Sequence, residues 1–291
     1  MSPDSSADYG RGVALTLVGV LLISFEALIL RLIGADVWTV IWWRGALLCA
    51  TVLIVSLFVA RATLNPLKMG FPAVIAIISF AGSVFTFVGA VNQTTAANTL
   101  VIASAAPALA AVFSWLLLGE SVTRSTWLAV SVVFVGVAAV LWGSLSTQGV
   151  IGDVFALGYA AWLANYFVAL RCCRNEDLLP VVFYGGLLSA VLSAPMASPL
   201  SVTINELLLL AVLGSAILPA SILLLAFGTR HMPAPDVVLV MMLEALLGPL
   251  WVWLALEETP SLYTLAGGLL IVATVVAHAH AEIANQRAGA A

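Results

Sequence analysis

Ten apolar runs, each about as long as a helix that crosses the hydrocarbon layer of a membrane, fill most of the chain. They occupy roughly residues 12–33, 37–60, 70–91, 98–118, 124–143, 151–171, 178–197, 206–228, 235–256 and 261–281. At about 20 residues per span they account for about 200 positions, so no separate aqueous domain of ordinary size fits. A soluble fold is excluded as well, because 63% of the residues are AVILMFWYC and only 8% are charged, against about a quarter charged in soluble domains. The separators are short and polar, for example Gly34-Ala35-Asp36 and Asn92 to Thr95, which suits helical hairpins. No stretch keeps up the apolar–polar alternation of a membrane barrel strand. The chain therefore reads as an all-α integral membrane protein of ten transmembrane helices.

The basic residues orient it. With both termini cytoplasmic, Arg11, Arg61, Lys68, Arg124, Arg171, Arg174, Arg230 and Arg287 fall inside, Arg31 alone falls outside, and Arg44 lies within the second run. The first run is expected to remain as a span: about 22 apolar residues exceed a signal core, and the leader carries Asp4 and Asp8 in place of a basic cluster. Most tryptophans sit near run ends, as interfacial anchors do, with Trp38, Trp42, Trp43, Trp142, Trp251 and Trp253 toward the outside. The expected location is a bacterial inner membrane. The net charge of −4 comes without a basic patch, so nucleic acid is not an expected partner. Cys49, Cys172 and Cys173 have no metal-ligand spacing, and neither a metal nor a cofactor is expected.

The chain repeats internally. A shift of 138 aligns Trp115-Leu116-x-Leu118-x-Glu120 with Trp253-Leu254-x-Leu256-x-Glu258, and a shift of 140 places Gly12 on Gly152 and Arg31 on Arg171. The halves divide into residues 1–148 and 149–291. Each holds five spans, an odd number, so the second half sits upside down relative to the first. These residues resemble the EamA-type transporters of the drug/metabolite transporter superfamily. That family ends each five-helix half with a proline-containing fourth helix, a Gly-Glu at its end and a glycine-bearing fifth helix. Pro107, Gly119-Glu120 and Gly136 match in the first half. In the second, Gly267 matches, but Glu244-Ala245 stands where the family often has Glu-Pro, and Glu257-Glu258 replaces Gly-Glu. Arg44 matches an arginine frequent in the family's second helix. The resemblance implies a secondary transporter of small metabolites, with a central cavity lined by the first four helices of each half. It does not name a cargo, since family members move amino acids, nucleotide-related compounds, sugars and drugs.

Ionisable residues inside a span cost about 2.5–3.5 kcal/mol on insertion scales and need a partner or a wet cavity. Glu26 and Arg44 lie about seven residues from the same outer boundary on neighbouring antiparallel helices, hence about 10 Å deep. At equal depth they can pair, either as a structural clasp or with Arg44 as an anchor for a substrate carboxylate or phosphate. Glu244 falls about midway along the ninth run with no basic residue at its depth, which suits proton coupling, a substrate amine or a neutral structural carboxyl. Asn98, Trp42, Trp162, Asn165 and Tyr166 are further cavity candidates; lone amides and phenols such as Asn98, Asn165 and Tyr166 are more often interhelical hydrogen bonds, and Trp42 and Trp162 suit stacking on a flat cargo, with Trp42 equally well placed as an interfacial anchor. Pro107, Pro219 and Pro249 are candidate hinges. Small residues in the fifth and tenth runs, Gly136, Ala139, Gly267, Ala273 and Ala277, permit close packing within the chain or between the subunits of a homodimer.

A multi-pass enzyme needs clustered nucleophiles, bases or metal ligands, and no such motif is present. There is no phosphate-binding loop to draw on ATP. The expected function is secondary transport of small polar metabolites such as amino acids, most simply outward, by alternating access. The alternative is an uptake permease for a nucleotide-like or other anionic metabolite.

Overall fold

The computed structural model describes residues 3–60, 64, 69–119, 123–145, 149–173, 178–231, 240, 241 and 243–289. Arg61, Lys68, Glu120, Arg174 and the 148/149 junction lie wholly or partly outside them. The first crossing is α1 (Pro3–Ile23) followed by α2 (Glu26–Leu32), and the second is α3 (Val37–Ile54), which runs into a π turn (Val55–Ala60). Then come α4 (Phe71–Gln93), the fourth crossing made of α5 (Ala96–Ala103) and α6 (Ala106–Leu118), and α7 (Arg124–Ser144). The second half has α8 (Val150–Cys172), α9 (Leu178–Ser193) and an eighth crossing of α10 (Ile204–Ala211), a π turn (Val212–Ile217) and α11 (Leu218–His231). It closes with α12 (Glu244–Leu256) and α13 (Leu262–Gly289). Seven of the ten crossings are long and apolar enough to span on their own; the seventh, ninth and tenth are shorter apolar helices.

Helices begin where a short polar side chain can take up an unpaired backbone N–H. Asp36 accepts from the Thr39 N–H at 3.0 Å, Thr95 from Asn98 at 3.1 Å and Thr123 from Thr126 at 3.2 Å. Thr203 and Glu206 form a capping box. The second π turn ends two residues before Pro219, which has no N–H to return to the preceding turn.

The packing has the symmetry expected of duplicated halves. The second crossing packs on the seventh and the fifth on the tenth, while the first packs on the eighth and the third on the sixth. A shift of five crossings maps this set of pairs onto itself. Both self-paired contacts are backbone-close. A Cβ on Gly45 would lie 2.5 Å from the Gly186 carbonyl oxygen, and one on Gly267 would lie 2.6 Å from that of Gly136. The small residues Gly136 and Gly267 are thus used between helices of one chain. Large apolar side chains such as Leu128, Val135, Leu254 and Leu269 project outward, as a lipid-facing surface requires.

The repeat also explains two helix features. The fourth crossing breaks at Ser104–Ala105, just before Pro107, and α12 starts after a turn at Leu243, which the shift of 138 places on Ala105. Gly119 and Glu257, related by the same shift, both cap their helices in the left-handed conformation, with φ of 66° and 56°. The second half keeps the backbone of the Gly-Glu cap without its glycine.

Candidate functional site

The two ends of the bundle are called here the Arg31 end and the Arg171 end. Glu26 opens α2, immediately after the first crossing unwinds at Ser24–Phe25. Its carboxylate is buried and pairs with the buried Arg44 guanidinium of α3. That guanidinium also lies over the Phe87 ring of α4, 5.7 Å from the centroid, while its Nε has no hydrogen-bond partner among the described residues. On the other face of the cluster, Tyr159 of α8 packs its ring 4.6 Å from that of Phe87. Glu244 stands in the first turn of α12, where the helix dipole favours an acid. Sequence reading put it mid-helix; the turn at Leu243 puts it at a helix start. It is half-buried and, among the described residues, has neither an ion-pair nor a hydrogen-bond partner.

The segments carrying the two acids touch. Trp251 of α12 stacks on Phe25 at 4.8 Å, and its indole N–H donates to the Ser24 hydroxyl at 2.9 Å, at the unwound turn of the first crossing. Trp251 is therefore a clamp between two broken crossings and not an interfacial anchor. At 1.5 Å per residue, Glu26 and Arg44 lie about 10 Å from the Arg31 end, Tyr159 about 14 Å and Glu244 about 18 Å. A cation, a phenol and an unpaired acid thus step down toward the middle of the bundle beside two helix breaks.

A second polar cluster closes the Arg31 end. Arg31 pairs with Glu258 at 3.1 Å and donates to the Thr94 carbonyl at 2.6 Å, while Glu258 caps the Ala96 N–H at 2.8 Å. Below them lies Asp153 of α8, fully buried, which accepts from the Thr94 hydroxyl at 2.6 Å and the Asn98 amide at 3.1 Å. Asn98 also donates to Ser144 at 2.8 Å and accepts from Thr264 at 2.5 Å. This network joins the fourth, fifth, sixth and tenth crossings, and its members bond one another.

Of the residues singled out in the sequence, Glu26, Arg44 and Glu244 border the central cluster. Asn98 belongs to the Arg31-end network. Asn165 donates to Ser79 at 2.7 Å, Tyr166 packs on Phe80, and Trp162 covers Gly82, so these three tie α8 to α4. Trp42 meets Trp43 edge-on at 5.0 Å. Pro107 follows the fourth-crossing break, Pro219 the π turn, and Pro249 lies inside α12. Sequence reading missed Asp153, which sits so close to a run end that it resembles a headgroup-level charge. It also missed Tyr159, a phenol with no distinguishing neighbours in the chain.

A model of the EamA-like transporter family matches the chain twice, over residues 10–142 and 150–278. The chain belongs to this family. It is therefore a multi-pass membrane transporter and not an enzyme, and the two matches imply duplicated halves. The pseudopaline exporter CntI of Pseudomonas aeruginosa, matched in two strains, is 27% identical over 190 residues. That alignment covers 62% of this chain and 65% of the relative, just under two thirds of its length. A solved crystal structure 21% identical to this EamA-family chain has the same fold, with a TM-score of 0.65 over 93% of this chain and 97% of the other.

Proposed function

We propose that this EamA-family transporter exports small polar metabolites, amino acids or related compounds, by alternating access between inverted repeats divided near residues 148 and 149. It does so from a bacterial inner membrane with both termini cytoplasmic. The observation that carries the reading is the unpaired Glu244 carboxylate beside a helix break, near a buried Glu26–Arg44 pair whose guanidinium keeps a free N–H. An unmet carboxylate costs free energy in a medium without water, and its retention beside a helix break supports a role in meeting a ligand or a proton.

In this mechanism a cargo carboxylate takes Arg44 from Glu26, since one guanidinium fork grips one carboxylate best. Glu244 takes a proton from outside and gives it up inside, exchanging one inward proton for each outward cargo. The membrane potential contributes about 2.3 kcal/mol per charge per 100 mV to that exchange. The breaks at Ser24–Phe25 and Ser104–Ala105, with the bend available at Pro249, let segments rock around the site. The outward direction has support from the exporter among the relatives.

The test compares metabolites inside and outside cells with and without the protein. The reading expects one or more amino-acid-like solutes to accumulate outside in proportion to expression and to stop when the proton gradient is dissipated. No solute following the protein, or one followed only inward, contradicts it.

A further inference from the structure

We propose that the Tyr159 hydroxyl is a cargo-binding group, placed between Arg44 and Glu244 to hydrogen-bond the solute that bridges them; this rests on the transport reading above. The ring has a fixed position. It packs against Phe87 at 4.6 Å, and Phe87 carries the Arg44 guanidinium 5.7 Å from its centroid, so one aromatic side chain sets the spacing of cation and phenol. By depth it lies between the two charged groups, about 14 Å from the Arg31 end against about 10 Å for Arg44 and about 18 Å for Glu244.

The hydroxyl itself has no hydrogen-bond partner among the described residues, and the side chain is half-buried. Several other polar tips on aromatic side chains are bonded within the protein, whereas the Tyr166 hydroxyl, packed against Phe80 away from the charged groups, is not. Tyr184 donates to the Leu64 carbonyl at 2.8 Å, Trp43 to that of Pro199 at 3.1 Å and Trp251 to Ser24. A phenol tip normally finds a partner when buried. One left open between a cation and an acid is suited to a ligand with its own donors and acceptors.

Arg44 and Glu244 differ in depth by about 8 Å along the helix axes, so a compact solute with an anionic and a cationic end meets them on either side of Tyr159. A phenol can donate to a carboxylate or accept from an ammonium, so the hydroxyl serves either end of such a compact amphoteric solute.

The experiment uses purified full-length protein in proteoliposomes loaded with an equimolar mixture of the twenty standard amino acids, with efflux read by mass spectrometry. Wild type, Tyr159→Phe and, as a control at the bundle surface, Tyr263→Phe are compared, with Tm measured on the same preparations. The proposal expects the amino acids released by wild type to leave Tyr159→Phe about ten- to hundredfold more slowly, as loss of a hydrogen bond to a charged group implies. Its Tm should be unchanged, and Tyr263→Phe should behave as wild type. Equal release by Tyr159→Phe overturns the proposal and leaves the transport reading standing. A Tm lowered by several degrees in Tyr159→Phe also overturns it, by showing that the hydroxyl is bonded within the protein. Release of no amino acid by wild type overturns the substrate class and this role together.

Discussion

Two polar clusters lie only a few helical turns apart in this bundle, and they differ in how far their hydrogen bonds close, although Arg31 Nε, like Arg44 Nε, has no partner among the described residues. At the Arg31 end, Asp153, Asn98, Thr94, Ser144 and Thr264 bond one another, and Arg31 and Glu258 join the adjacent helix ends. In the central cluster, Arg44 Nε, the Tyr159 hydroxyl and the Glu244 carboxylate have no partner among the described residues. Both are polar and shielded by apolar helices. A closed network gains from low dielectric, whereas an open one is costly until something fills it. The first arrangement holds helices, and the second is the one proposed above to take a ligand.

Breaking the one ion pair of the central cluster is expected to have the largest effect on the fold. Arg44→Gln leaves the buried Glu26 carboxylate without its cation and should lower stability by about 3–5 kcal/mol. The double variant with Glu26→Gln should lose clearly less. Equal and additive losses in thermal unfolding would show that the two residues are not coupled.

Asp153→Ala should follow. It removes the acceptor shared by Thr94 and Asn98 and leaves buried donors unmet, at about 2–3 kcal/mol. The comparison is sharpened by a second readout: efflux per folded molecule should stay near that of wild type. A stable Asp153→Ala protein that transports poorly would move Asp153 from the closed cluster to the open one.

How much of this was legible in the chain depended on what lipid forbids. The ten crossings could be read because a backbone in hydrocarbon must be helical and apolar for about 20 residues. Glu26 and Arg44 could be matched because hairpin neighbours share depth. The start of α12 was hidden because Ala245 stands where Pro107 follows the break of the fourth crossing, although the repeat maps Leu243 onto Ala105 at that break. Asn98 looked like a cavity amide, yet its partners Asp153, Ser144 and Thr264 come from three other crossings, and only tertiary packing reveals them. Tyr159 was hidden for a related reason, since an unmet hydroxyl is visible only once its surroundings are known.

A smaller effect tests the duplicated backbone. Glu257→Gly removes a side chain from the left-handed cap that Gly119 fills in the other half and should raise stability by about 1 kcal/mol. A destabilised variant would mean that the Glu257 side chain contributes more than its backbone conformation costs.

The most direct test of the difference between the two clusters is proton-driven efflux by Glu244→Gln, which fixes a neutral group of the same size. Efflux of the wild-type cargo is measured in proteoliposomes across external pH, with and without an imposed proton gradient, alongside Tm. The account predicts an unchanged Tm, with the pH dependence and the response to the gradient both lost. A Glu244→Gln protein with the rate, pH profile and gradient response of wild type would contradict it and make Glu244 a structural carboxyl.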